Sequence, residues 1–565
     1  MTLLHPRCLD RTYPDERTRD VMRLLVEFFE AKGKARIKED DHGAVWYRDF
    51  LDHVRDRRLF ATMCTPAGYG GDDTRWDTWR NCEFGEILGF YGLPYWYTWQ
   101  VTVLGLGPIW MSHNEEVKQR VARLLDDGAI FGYGLSEKEH GADLYSTEMV
   151  LEPAGDGTYR ANGSKYYIGN GNEAALVSTF GRFADTGEWV FFVVDPSHPA
   201  YTCVQNVVHS QNYVAEYELS DYPIGEADIL LRGDAAWDAA LNTVNIGKFN
   251  LGWASIGICT HALYEAIHHA AHRRLYGMKV TDFPHARALF TDAFARLVAM
   301  RTVAQRTSDY MRSATADDRR YLLYNPVVKM KVTTQGEDVI NHMWDVIAAK
   351  GFEKDTYFEM AARDIRALPK LEGTVHVNIA LIVKFMENYF FRPADLPEVP
   401  RRTDDGDDEF LFDQGPARGL RKIRFHDPDP VFARFDLPNV AVFREQMAAF
   451  KAMLVQATPT DEQGRDIDFL LAVGEIFTLA VYGQLFLEGA EIDGIDGDLV
   501  DQVFDVFVRD WSRFAVDLHG KQATSKEQAE HCLAMIRRPA VVPDRMARVW
   551  EQRVLALRDA YQMSP

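Results

Sequence analysis

One acidic residue, Glu372, has the neighbours that a general base requires. It lies between Leu371 and Gly373, directly before Thr374, which is suited to cap an apolar helix predicted at 375–391. Gly373 has no Cβ, so another molecule can approach the backbone closely there. Apolar surroundings would raise the pKa of the carboxyl group toward the range useful for proton abstraction. The alternative interpretation is a glutamate in an ordinary helix-starting turn.

Three other patterns resemble ligand sites, but each lacks a defining feature. The segment 169–174 spells GxGxxA after a strand, yet a second strand is predicted at 175–183, where a dinucleotide-binding turn needs a helix. A helix face at 265–272 carries glutamate and histidine without an HExxH pattern. The acidic segment 491–498 lacks the alternating ligands of a calcium loop. We therefore expect two turns and a polar helix face, and no metal site.

Composition narrows the class of protein. The chain has 565 residues, a formal net charge of −21, 47% hydrophobic residues and 26% charged residues, as in soluble globular proteins. A strongly acidic chain is unsuited to nonspecific binding of nucleic acid or anionic lipid. Six scattered cysteines without a CxxC pair indicate reduced thiols, which fits a cytoplasmic protein. No apolar stretch reaches the length of a membrane span or meets the pattern of a signal peptide.

Hydrophobic periodicity predicts the elements that must position Glu372. Helical spacing dominates, and one region is instead rich in short β-type segments separated by Gly, Asp, Asn and Pro. We expect an α+β, mainly helical protein. Its predicted parts are an N-terminal helical domain (1–128), a central small β domain (129–237), a C-terminal four-helix bundle carrying the base (238–395), a linker (396–430) and an appended helical domain (431–565).

Short motifs recur in a fixed order along the first 395 residues. They are PAGYGG at 66–71, NEEVKQRVARLLDDG at 114–128, YGLSEKEHGAD at 133–143, NGSKYYIGN at 162–170, RRLYG at 273–277, RD at 363–364 and LEGT at 371–374. Each motif alone is degenerate. Their joint order and separations resemble the acyl-CoA dehydrogenase family, in a long form with an extra C-terminal helical domain.

The resemblance implies FAD-dependent α,β-dehydrogenation of an acyl thioester, such as acyl-CoA to trans-2-enoyl-CoA. In that chemistry Glu372 removes the α-proton and the β-hydrogen leaves as hydride to flavin N5. Donors polarise the thioester carbonyl, and Gly373 leaves room for the substrate. Ala142 and Lys248 match substrate-binding positions where the family has Ser and Arg. Because both differ, a carrier-protein thioester in place of CoA is left open.

The resemblance assigns ten further positions to FAD. They are Tyr133, Leu135, Ser136, Tyr167 and Gly169 for the ring, and Arg273, Tyr276, Asp345, Thr374 and His376 for the rest of the cofactor. Several differ from the family pattern. Gly169 replaces a Thr whose hydroxyl reaches flavin N5, so that hydrogen bond must be lost or replaced. Asp345, Ala348–Ala349 and Pro284 replace Gln, GlyGly and Gln, and we expect them to weaken FAD binding or shift its path.

The implied partners are an electron-transfer flavoprotein as electron acceptor and a second copy of the chain. A homodimer is expected, because helical extensions in long family members cover the face otherwise used for tetramers. Two alternatives remain. One is an acyl-CoA oxidase that uses oxygen, and the other is a degenerate family member that binds a thioester or a partner without redox turnover.

Overall fold

The computed structural model describes residues 3–7 and 11–565. Within it the chain forms two compact units, each described by itself. The bundle unit contains residues 251–402 and 419–563 together with the described residues near the N-terminus. The sheet unit contains residues 11–250, 403–418 and 564–565.

The sheet unit begins with helices whose starts are fixed by side-chain caps. Asp15, Asp77 and Asn114 each accept a hydrogen bond from the backbone N–H three residues later. The fifth helix is buried along nearly its whole length, so it is apolar on all sides. The helices are α1 (Glu16–His42), α2 (Arg48–Asp56), α3 (Leu59–Cys64), α4 (Thr78–Tyr91), α5 (Leu93–Met111) and α6 (Glu115–Asp126).

Eight strands follow, in one mixed sheet with the order β6-β7-β3-β2-β4-β5-β8 and with β1 pairing parallel to β4. The core of this sheet is built from buried aliphatic and aromatic side chains. The strands are β1 (Phe131–Gly134), β2 (Val150–Gly155), β3 (Thr158–Gly169), β4 (Leu176–Phe183), β5 (Trp189–Val194), β6 (Tyr201–Asn206), β7 (Val214–Ile224) and β8 (Ile229–Arg232).

The boundary between the two units falls inside the next helix, after Asn250. A short hairpin and a series of helices follow, with a π-helical turn at Val328–Val332. The elements are α7 (Gly233–His272), β9 (Arg274–Leu275), β10 (Met278–Lys279), α8 (Pro284–Arg312), α9 (Tyr321–Val327), α10 (Thr333–Ile347), α11 (Tyr357–Asp364), α12 (Val375–Ile382) and α13 (Met386–Phe391).

The C-terminal helices belong to the bundle unit, where three of them pack against α8. The elements are α14 (Asp429–Ala433), α15 (Pro438–Gln456), α16 (Ile467–Asp493), α17 (Gly497–His519), α18 (Lys526–Met535) and α19 (Arg545–Val549). Among the described residues, α16 is the helix long and apolar enough to cross a membrane by composition, and 83% of its most apolar window is buried inside the protein.

The segment predicted as a linker is divided between the two units. Its acidic part belongs to the sheet unit, where Asp407 accepts a hydrogen bond from the Trp76 N–H and Asp408 accepts one from the Thr78 N–H, both at 2.6 Å. The predicted α+β, mainly helical class is confirmed. Five cysteines in the described residues are free thiols, and Cys8 lies outside the described residues.

Candidate functional site

The positions assigned to the flavin ring meet at one end of the sheet. Leu135 and Ser136 directly follow β1. The Ser136 hydroxyl donates to the Tyr166 carbonyl at 2.6 Å, and the Tyr166 N–H donates to the Ser136 carbonyl at 2.9 Å. The Tyr133 hydroxyl donates to the Ala240 carbonyl at 3.1 Å. These bonds hold the segment after β1 beside the last residues of β3.

A buried ion pair joins the same two segments. The Lys165 ammonium donates to Glu137 Oε1 at 2.7 Å and to the Leu135 carbonyl at 3.1 Å. Burial lowers the pKa of Lys165 to about 8. Burial alone would raise the pKa of Glu137, but the Lys165 charge and its hydrogen bond outweigh burial, and that pKa is lowered. The pair fixes the backbone of a ring position rather than offering a free charge.

Tyr167 presents an aromatic ring at the surface of the sheet unit. A bulge in the β3–β7 pairing lies between Lys165 and Ile168, and Tyr167 inside it has φ +65°. Its side chain is 60% exposed. A left-handed conformation at a bulky residue costs about 1–3 kcal/mol and is typical of functional positions. The bulge therefore turns this ring outward, where a planar ligand can stack.

The remaining sheet-unit positions differ in accessibility. Gly169 ends β3, and the space beside it is filled by Tyr97 and Val101 of α5. Ala142 is exposed in the turn that follows the Glu137–Gly141 bridge. Lys248 is buried on α7. Within the sheet unit, a ligand could therefore reach Ala142, whereas the side chain of Lys248 is shielded from solvent.

The loop that carries Glu372 has an unusual backbone. Glu372 has φ +51° and Gly373 has φ +86°, two consecutive left-handed residues between α11 and α12. The side chain of Glu372 is partly buried, and its Oε2 atom is inaccessible to solvent. Thr374 caps α12 by accepting a hydrogen bond from the Val377 N–H, as the sequence predicts. The loop thus directs one carboxylate oxygen inward at the start of a helix.

Lys329 supports this loop and was not identified from the sequence. It lies in the π-helical turn, and its side chain is fully buried. Its ammonium group donates to the Pro369 carbonyl at 2.7 Å and to the Gly373 carbonyl. The two acceptors flank Glu372 in sequence, so one cation holds both sides of the loop. A lysine among the apolar residues before α10 is the only sequence signal for this role.

Arg273 and Tyr276 lie at the end of α7 and in the β9–β10 hairpin, and both are exposed. Tyr276 and Gly277 have φ +52° and +82°, the positive values that a two-residue hairpin turn of type I′ requires. The Tyr276 side chain is 97% exposed. A cation and an aromatic ring are therefore presented together on one projecting turn.

Asp345 and Ala348 lie at the end of α10. Ala348 has φ +50° and ψ −130°, a conformation that belongs to glycine. The backbone thus keeps a glycine-like turn although the residue carries a methyl group. Asp345 is exposed in the last helical turn, where the helix dipole disfavours an anion. Thr374 and His376, in the same unit, are exposed at the N-terminal end of α12.

The residues present fit a flavin. In the sheet unit an exposed aromatic face at Tyr167 lies beside Ser136 and Leu135, which their hydrogen bonds hold in place. In the bundle unit, exposed Arg273 suits a pyrophosphate. The carboxylate of Asp345 and the methyl group of Ala348 oppose tight binding there.

Comparisons with known proteins show similarity to acyl-CoA dehydrogenases. Residues 235–387 match the family described as acyl-CoA dehydrogenase, C-terminal domain. The chain is 22% identical over 373 residues to the short-chain specific acyl-CoA dehydrogenase of Megasphaera elsdenii, covering 64% of this chain and 95% of that protein. It is 20% identical to a subunit of the caffeyl-CoA reductase–Etf complex of Acetobacterium woodii, covering 66% and 98%.

A similar fold extends over a longer part of the chain than the sequence similarity does. The structure of an acyl-CoA dehydrogenase complexed with FAD from Bacillus anthracis has a TM-score of 0.74 at 15% identity and covers 98% of each chain, including the appended helices. The matched C-terminal domain contains the Glu372 loop, Arg273 and the π-helical turn. Residues 235–387 therefore carry the C-terminal domain of the acyl-CoA dehydrogenase family, and the chain as a whole shares the fold of the Bacillus anthracis structure.

Proposed function

We propose that this protein is an FAD-dependent acyl-thioester dehydrogenase with Glu372 as its general base. The observation that carries the proposal is the Glu372 loop, which has a left-handed backbone, is held by Lys329 at two carbonyls and buries one carboxylate oxygen of Glu372. Similarity to acyl-CoA dehydrogenases supports an oxidoreductase with FAD as its cofactor. The substrate class is an acyl-CoA, with a carrier-protein thioester as the variant that Ala142 and Lys248 leave open.

The chain's own residues account for the proton. A thioester α-C–H is weakly acidic, so the base must be positioned and kept away from water. Glu372 would accept the α-proton, and the backbone N–H of the same residue would polarise the thioester carbonyl. Gly373 adopts its φ without strain and adds no Cβ on the approach path. FAD, when bound, would accept the β-hydrogen as hydride.

A proton-exchange experiment tests this assignment. Glu372→Gln should keep FAD bound, seen as visible absorbance, and slow α-hydrogen exchange of saturated acyl-CoA in D2O by about 10³-fold. Glu387→Gln is the matched control, because Glu387 is an exposed acid paired with Arg392. Unchanged exchange in Glu372→Gln would reject the base.

The electron acceptor is proposed to be an electron-transfer flavoprotein, supported by the name of the Acetobacterium woodii relative. An acyl-CoA oxidase is the closest alternative. Hydrogen peroxide formed from substrate and air without an added acceptor would favour the oxidase. A colourless protein that gains no visible absorbance with FAD would favour a member without redox turnover, the reading that Asp345 and Ala348 motivate.

We further propose a homodimer acting in the cytoplasm on intermediates of fatty acid metabolism. The appended helices support the dimer, since extensions of this kind cover the tetramer face in long family members. Light scattering that gives a tetramer mass would contradict it.

A further inference from the structure

Tyr97 occupies the space that a side chain at position 169 would need. A Cβ built on Gly169 would lie 2.9 Å from the Tyr97 hydroxyl oxygen, 2.8 Å from its Cε1 atom and 2.6 Å from Cγ2 of Val101. Real Cβ atoms do not approach other atoms this closely. Gly169 has no left-handed φ, so its conformation does not require glycine. The neighbours on α5 are what exclude a larger residue there.

Hydrogen bonds join Thr98 and Asn170, the residues that follow Tyr97 and Gly169 in the chain. Asn170 is fully buried, and its Oδ1 accepts a hydrogen bond from the Thr98 hydroxyl at 2.9 Å. Its amide nitrogen donates to the carbonyls of Thr98 and Phe131, both at 3.0 Å. One amide thus ties α5 to the ends of β1 and β3. These bonds hold the backbone of α5 at Thr98, next to Tyr97, against the residue that follows Gly169.

Two further contacts keep α5 from rotating. A Cβ on Gly105 would lie 2.6 Å from the Gly132 carbonyl oxygen, so helix and strand approach as closely as backbones allow. On another side the Gln100 amide donates to the Gly247 carbonyl at 3.1 Å. Contacts at Thr98, Gln100 and Gly105, all within the eight residues after Tyr97, therefore hold α5 against β1, the end of β3 and α7.

We propose that the Tyr97 hydroxyl supplies the hydrogen bond to the flavin ring that Gly169 cannot make. This inference rests on the proposed function. A phenol hydroxyl both donates and accepts, as a threonine hydroxyl does. It is placed at the strand end that also carries Tyr167, the exposed face suited to the ring. The hydroxyl group would thus come from Tyr97 on α5 instead of from position 169 at the end of β3.

Tyr97→Phe isolates this role, because the ring still fills the space and only the oxygen is removed. We expect FAD to bind about tenfold more weakly, as for one lost hydrogen bond, and the longest-wavelength absorption band of the bound flavin to shift. Tyr95→Phe is the matched control, since Tyr95 is a buried phenol on the same helix. It should change neither affinity nor spectrum.

A swap of the two side chains gives a second measurement. Gly169→Ser should bind FAD poorly while Tyr97 is present, and Tyr97→Ala with Gly169→Ser should bring the absorption band back toward the wild-type position. The proposal would be contradicted if the absorption band of the double variant stayed at the position found for Tyr97→Ala alone. It would also be contradicted if Tyr97→Phe had the FAD affinity and the spectrum of the wild type. A wild-type chain that binds no FAD would overturn the proposed function and this inference together, whereas FAD-loaded wild type with an unchanged Tyr97→Phe overturns this inference alone.

Discussion

The ammonium group of Lys329 and the backbone carbonyl of Gly373 form a hydrogen bond under the loop that carries Glu372. A second bond from the same ammonium reaches Pro369 on the other side of the loop. Because both acceptors are backbone atoms, the lysine orients the loop without taking part in the chemistry. Lys329 is therefore a positioning residue.

Replacing Lys329 by Met should slow α-proton exchange by about 10²-fold, because the loop loses its support. Lys331→Met is the control, as Lys331 is also buried in the π-helical turn. Exchange slowed equally in both variants would contradict a specific role of Lys329 in holding the loop.

Ala348→Gly should stabilise the protein. The alanine adopts φ +50° and ψ −130°, which costs about 1–3 kcal/mol, and glycine relieves most of that cost. The expected net gain is about 1 kcal/mol in the free energy of unfolding by urea. Ala349→Gly, whose φ is not positive, should instead lose about 0.5–1 kcal/mol. Destabilisation by both changes would contradict the strain argument.

Glu488 should make stability depend on acid pH. Burial acts to raise its pKa, but the hydrogen bond from His426 and the Arg306 charge outweigh burial and hold the pKa well below its usual value. Tyr310 and Gln484 also donate to this carboxylate. A depressed pKa gives stability that is present above about pH 4.3 and is lost as the pH falls toward the folded-state value.

Glu488→Gln should therefore cost about 3–5 kcal/mol near pH 7, because it removes the carboxylate 2.8 Å from the buried Arg306 guanidinium and leaves Asp309, at 3.4 Å, to neutralise it. The difference from wild type should shrink in denaturant titrations below pH 4. If the difference in unfolding free energy between wild type and Glu488→Gln stayed constant between pH 7 and pH 3.5, the Glu488 carboxylate would not be the source of the pH dependence.

Arg296 and Asp510 form a buried bidentate pair between α8 and α17, with N–O distances of 2.6 and 2.9 Å. Asp510→Ala should cost about 3–5 kcal/mol, since it strands a buried guanidinium. Arg296→Met combined with Asp510→Leu should recover most of that loss. Additive losses in the double variant would show that packing, not charge, dominates at this contact.

The sequence predicted the features that follow from local pattern. Periodicity indicated the helical and β regions, and the cap at Thr374 was read from the apolar helix after it. Lys329 could not be predicted, because its partners are carbonyls 40 and 44 residues away and leave no local signal. Tyr97 was missed for the same reason. Gly169 showed only that a hydroxyl was absent, and the packing of α5 shows which side chain, Tyr97, lies in its place.

The acidic run at 404–409 gives a third example. Its composition indicates a solvated linker, yet Asp407 and Asp408 accept hydrogen bonds from backbone N–H groups at the start of α4. Carboxylates are favourable at a helix N-terminus, and that partner is chosen by tertiary structure alone. Charge runs of this kind therefore need a structure before they can be interpreted.

The π-helical turn at Val328–Val332 has a consequence for alignment. One extra residue per turn sets the helix before it about 100° out of phase with the helix after it. In relatives without this insertion, counting residues back from the base would land on a side chain pointing elsewhere. Superposed coordinates, not ungapped sequence, would identify the counterpart of the Lys329 ammonium.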